Sequence, residues 1–137
     1  QQGASNLTFR NLSFEAWDDG TVCQYAARVI ASSYSAFDGC AIVGKGAGRY
    51  GLYAKGYNLA GVSYLSLTNC ALSADNDTGT ALYVGATANE PTSNVTLSGN
   101  TVVSQGTGEY FTGKITTLAV SDEWTGQPAG DVRRSVS

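Results

Sequence analysis

The stretch "NVTLSGNTVV" (Asn94–Val103) decides how the chain folds. Val95 and Leu97 alternate with polar neighbours, as on a strand with one buried face. "SGN" then offers a corner, and Val102 resumes the apolar pattern. The same phrase stands earlier as "YLSLTNCALS" (Tyr64–Ser73), "YSAFDGCAIV" (Tyr34–Val43) and "NLTFRNLSF" (Asn6–Phe14). One apolar slot holds Phe9, Phe37, Leu67 and Leu97, at steps of 28, 30 and 30 residues. Two positions before it stand Leu7, Ser35, Leu65 and Val95, and two after it Asn11, Gly39, Asn69 and Gly99. Five after it stand Phe14, Ile42, Leu72 and Val102.

A second block recurs with the first. "GLYA" (51–54) becomes "ALYV" (81–84) and then "EYFT" (109–112), at steps of 30 and 28. Aligned this way, Leu52, Leu82 and Tyr110 share one strand face, and Tyr53, Tyr83 and Phe111 share the other. A period near 30, with short strands, Asn or Gly corners and no helical pattern, predicts a solenoid of β-coils. Equivalent residues would stack about 4.8 Å apart.

The repeated phrase resembles the coils of the right-handed parallel β-helix superfamily of pectate-lyase-like enzymes and phage tailspikes. The likeness runs from Asn6 to about Val120. Low charge, abundant Gly, Ser and Thr, and many tyrosines make it most similar to a phage tailspike or tail-fibre module. The fold class expected is therefore all-β, a right-handed parallel β-helix of about four coils of 28–30 residues. It would occupy residues 1–120, with an irregular tail or cap over 121–137. The resemblance implies a homotrimer, a place in a virion tail, and contact with host surface polysaccharide. Two alternatives stand beside it: a polysaccharide hydrolase or lyase, and a secreted or cell-surface adhesin without a small ligand.

Composition narrows the choice of chemistry. With 137 residues the chain is expected to form one domain. A net charge of −3 is unsuited to a nucleic-acid partner. No apolar run is long enough to span a membrane, and no signal peptide is visible. The chain begins with Gln, so it is expected to start inside something longer. The superfamily's usual N-terminal helix has no counterpart in "QQGAS", so an upstream segment or another subunit is expected to cover Leu7, Phe9 and Phe14. At the other end, "SDEWTGQPAGDVRRSVS" breaks the repeat, with Trp124 as a candidate plug.

With no histidine, Ser–His–Asp and Cys–His arrangements and His–zinc sites are excluded within the chain. No cofactor or metal is expected. "GKGAGRYG" (44–51) lacks the context of a phosphate loop and is expected to be a corner. The sequons at Asn6, Asn11, Asn76 and Asn94 are expected by chance in a chain rich in turn residues. Cys40 and Cys70 share a slot in consecutive coils, either as small buried hydrophobes or as a disulfide. Cys23 has no evident partner.

Glycosidic hydrolysis needs two carboxyls. Trp17, Lys45, Asp75 and Gln105 align on one turn row, with Asp19, Ala47, Asp77 and Thr107 two residues further on. Asp19 and Asp77 would lie about 10 Å apart and are the weak catalytic candidates. Asp75 and Lys45 would form a surface ion pair. Glu109 has no second carboxylate aligned with it, and the chain alone is read as leaning away from catalysis. The strip of Tyr53, Tyr83 and Phe111, with Trp17 and Asp75 nearby, is the candidate carbohydrate platform or subunit interface.

Overall fold

A computed structural model describes residues 5–16 and 24–126. Every regular element among them is a strand: β1 (Ser5–Arg10), β2 (Ser13–Ala16), β3 (Tyr25–Ile30), β4 (Ser33–Asp38), β5 (Ala41–Gly44), β6 (Tyr50–Lys55), β7 (Val62–Thr68), β8 (Ala71–Ala74), β9 (Thr80–Gly85), β10 (Thr92–Ser104), β11 (Thr107–Thr112) and β12 (Ile115–Gly126). All their pairings are parallel, which makes a β-solenoid of about four turns.

Each coil lays three strands on three faces. The first face runs β1-β4-β7-β10 and the second β2-β5-β8-β10, so β10 bends from one to the other. The third is the separate sheet β3-β6-β9-β11. β12 adds a further rung on β10 and runs to Gly126, into the segment expected to be irregular. Residues 127–137 lie outside the described residues, as does the side chain of Trp124.

The register follows the repeat on the first two faces. Phe9 pairs with Phe37, Phe37 with Leu67, and Leu67 with Leu97. Phe14, Ile42, Leu72 and Val102 form the next ladder. These ladders are the dry interior: Leu67, Ile42 and Leu72 are wholly buried. At the first coil, the Phe9 ring stacks on Phe37 at 5.0 Å, and Phe14 meets both edge-on. Leu7 and Leu12 of that coil are exposed.

The corner between the first two faces shows what the stacking demands. Asn11, Gly39, Asn69 and Gly99 all have left-handed backbone, with φ between 52° and 67°. That region suits Asn and Gly and penalises most others. Their alternation is steric. A Cβ on Gly39 would lie 2.6 Å from Asn11 Oδ1, and one on Gly99 would lie 2.6 Å from Asn69 Oδ1. Each asparagine amide thus covers the bare glycine of the next rung.

The next slot inward carries Cys40, Cys70 and Asn100, each giving a hydrogen bond to the rung before. Cys40 Sγ donates to Phe9 O at 3.3 Å, and Cys70 Sγ to Phe37 O at 3.4 Å. Asn100 Nδ2 donates to Leu67 O at 2.9 Å, and Asn100 Oδ1 accepts from Cys70 N at 2.8 Å. Both cysteines are buried, free thiols, which decides against the disulfide. Cys23 lies outside the described residues.

Gly99→Ala should destabilise the fold by about 2–4 kcal/mol, through left-handed strain plus overlap with Asn69. Combined with Asn69→Gly, the same change should cost only about 1–2 kcal/mol. Denaturant midpoints measure both, and an equal cost in the two backgrounds would show that the Asn69 amide does not set the slot. In a Cys23→Ser background, Cys40 and Cys70 should resist alkylation when folded and both react in denaturant without reductant. Failure to react there would indicate a bond between them.

Candidate functional site

The third face carries the aromatic residues, in a register different from the one expected. Tyr53 pairs with Tyr83, and Tyr83 pairs with Tyr110 rather than Phe111. Phe111 pairs with Val84 and is wholly buried, so it does not belong to the strip. Glu109 takes the slot of Leu52 and Leu82 and is also wholly buried. The cause is the corner before β11. Five residues (75–79) link β8 to β9, whereas two (105–106) link β10 to β11. The coil is three residues shorter there, and the one-residue error that results exchanges the two strand faces.

A signal in the sequence marks the true alignment. "GLY" (51–53), "ALY" (81–83) and "GEY" (108–110) repeat a small residue two positions before a tyrosine. The small slot is enforced, because a Cβ on Gly51 would collide with Ala81 O. The charge of Glu109 in an inward slot hides the match.

The face that results is a connected column of five tyrosines. The Tyr53 and Tyr83 rings stack at 4.7 Å and 10°, close to the spacing of the rungs themselves. Tyr25 lies 4.7 Å from Tyr53 and 5.5 Å from Tyr50, and Tyr110 lies 5.6 Å from Tyr83. Tyr50 meets Tyr53 and Tyr83 edge-on. The Arg28 guanidinium sits 5.4 Å from the Tyr25 ring centre, a cation–π distance. Tyr83 Oη and Thr112 Oγ1 share a hydrogen bond of 2.8 Å. Burial, and then the neighbouring phenols, raise the Tyr50 hydroxyl above its ordinary value. The same causes push Tyr53 up to about 12, against a smaller opposing pull from Arg28.

The geometry decides how such a column can be used. Tyr53 and Tyr83 turn ring faces toward each other along the solenoid axis. What they present outward is ring edges and hydroxyls. A sugar stacks on an open ring face, so the interior of the column is a poor platform for one. Edges and hydroxyls on a flat half-buried sheet suit contact with another protein surface.

The turn row is held together by its own polar groups. Asp75 Oδ1 accepts from Gly46 N at 2.8 Å, and Thr78 Oγ1 accepts from Gly48 N at 2.9 Å. The amides of the glycine-rich corner are thereby engaged by the next coil. Lys45 pairs with Glu15 at 3.4 Å. Asp77 is exposed. Trp17 and Asp19 lie outside the described residues, so the Asp19–Asp77 pair has no described geometry. Among the described residues, no cluster of His, Cys, Asp and Glu could hold a metal ion. Nor, among the described residues, is any helix long and apolar enough to cross a membrane.

Sequence reasoning missed a second aromatic feature, on the first face. Tyr34 and Tyr64 stack at 4.5 Å and 3°, and both are about half exposed. No protein-family model, curated protein or solved structure matches the chain.

As pH rises from about 10 to about 12, stability should fall. The folded state retains the neutral Tyr53 phenol that the unfolded state loses near 10. Tyr53→Phe should remove part of that fall. Phenolate absorbance together with denaturant midpoints across this window tests it, and a phenol titrating at its ordinary value would refute the burial.

Proposed function

We propose that this chain is a structural and receptor-contact module of a phage tail protein, working as a homotrimer outside the cell. The tail assignment follows the resemblance of its coils and its low charge. The observation that carries the assembly reading is the tyrosine column. It spans the four strands of one sheet, from Tyr25 to Tyr110, and offers neighbours edges and hydroxyls rather than open ring faces. Contiguous aromatic surface of this kind marks an interaction site. The turn after β6 adds Tyr57 and Leu59, both strongly exposed. Further copies of the chain are the natural partners, since three columns gathered about a threefold axis give a closed assembly. Polysaccharide contact then belongs to a different face.

The chain should sediment at three times its 14.2 kDa mass. Tyr110→Arg, at the exposed end of the column, should shift it toward monomer with an unchanged far-ultraviolet spectrum. A wild-type monomer at tens of micromolar would overturn the proposal.

A further inference from the structure

The Tyr34–Tyr64 pair differs from the column on the other sheet, because its stack ends with two rungs still to follow. The coil position it occupies runs Asn6, Tyr34, Tyr64, Asn94 and Thr117. All five have left-handed backbone, with φ from 55° to 60°. Asn tolerates that conformation, whereas a bulky tyrosine adopts it at a cost. Two tyrosines therefore stand in a strained position, with about half of each side chain in water. Core packing does not account for them.

The space beyond Tyr64 has a definite form. A depression of about 280 Å³ is lined by Tyr64, Leu65, Ser66, Asn94, Thr96 and Thr117. These residues belong to Tyr64's own rung and the two that follow. The depression therefore opens on the side of Tyr64 away from Tyr34. One face of the Tyr64 ring is covered by Tyr34 at 4.5 Å, and the other faces the rungs where the aromatic ladder stops. Around it stand two threonine hydroxyls, one serine hydroxyl and one carboxamide. No ionisable group other than the tyrosine phenol lines it.

We propose that this depression binds one neutral pyranose residue of a glycan, stacked on the open face of Tyr64 as the next member of the ladder. The C–H face of a pyranose matches an aromatic face, and its hydroxyls match a rim of neutral donors and acceptors. An acidic sugar would bring a carboxylate to a site lined by no cation. A flat aromatic ligand would leave the polar rim unused. Tyr34 acts as a positioning residue by holding the Tyr64 ring upright. The inference deepens the receptor-contact part of the proposed function, yet it does not require the tyrosine column to be an interface.

The test is affinity electrophoresis of the full chain through gels containing dextran, galactan, mannan or, as the acidic comparison, polygalacturonate. The wild type should be retarded by at least one neutral polymer. Tyr64→Ala should raise the apparent Kd at least tenfold, and Tyr34→Ala less. Tyr64→Phe, which keeps the face, should bind as wild type. Retardation by none of the neutral polymers, by polygalacturonate alone, or equally by wild type and Tyr64→Ala, would overturn the site. Sedimentation of the same samples separates the two proposals. A monomer that binds through Tyr64 refutes the trimer and keeps the site, and a trimer indifferent to Tyr64→Ala does the reverse.

Discussion

The structure depends on one constraint: successive coils hydrogen-bond in parallel register, so every side chain meets its counterpart one strand spacing away. A slot is therefore never filled by one residue alone. Asn11 determines that position 39 is bare, and Asn69 does the same for position 99. Cys40, Cys70 and Asn100 are unlike in chemistry but occupy one slot and do one job, donating to a carbonyl of the rung before. A thiol is a weak donor and a carboxamide a strong one. The stronger donor sits in the last full coil, where Asn100 also gives its backbone N–H and its amide to Asp122 of the next rung. Burial raises the Cys70 thiol above its ordinary value, which leaves it protonated and able to donate.

The same spacing explains the aromatic rings. Strand separation and comfortable ring-stacking distance nearly coincide, so tyrosines in one slot of consecutive rungs stack almost without adjustment. Stacking has opposite consequences inside a ladder and at its end. Inside, each ring covers its neighbour, and the surface becomes a rim of edges and hydroxyls. At the end, one face stays open. The column at Tyr53 and Tyr83 is the first case, and Tyr64 is the second. Residue type alone does not separate them; the identity of the next rung does. Asn94, standing where a third tyrosine would have closed the stack, leaves the ring face available.

Legibility in the sequence followed the same physics. The ladders Phe9–Leu97 and Phe14–Val102 were readable because strand length and corner length stay nearly constant through the first two faces. The third face was misaligned at its last rung because the corner shortens by three residues where Ser104 Oγ, accepting from Gly106 N and donating to Thr107 O, closes a tighter turn. Hydrophobicity then misled. A carboxylate in an inward slot looks like an outward residue, so the sequence pattern puts Phe111 outside and Tyr110 inside. Tyr34 and Tyr64 are hidden in the sequence for another reason. They occupy left-handed positions at the start of the strand phrase, where neither alternation nor turn composition singles out a tyrosine.

The turn row completes the division of labour among the faces. Carboxylates at a solenoid corner invite a catalytic reading, but a corner of stacked five-residue loops has its own unsatisfied amides. Asp75 and Thr78 lie beside the Gly46 and Gly48 N–H groups of the previous coil and accept from them. Asn76 Oδ1 in turn accepts from the Thr78 amide and hydroxyl, fixing the side chain that caps Gly48. An acid or base must be free to exchange protons with a substrate, whereas Asp75 is tied to a backbone amide of the neighbouring coil. The bonds of Asp75 and Thr78 join one rung to the next, while Asp77 stays exposed beside them. The proposed recognition therefore falls on the surfaces where stacking leaves something uncovered: the rim of the column and the open face of Tyr64.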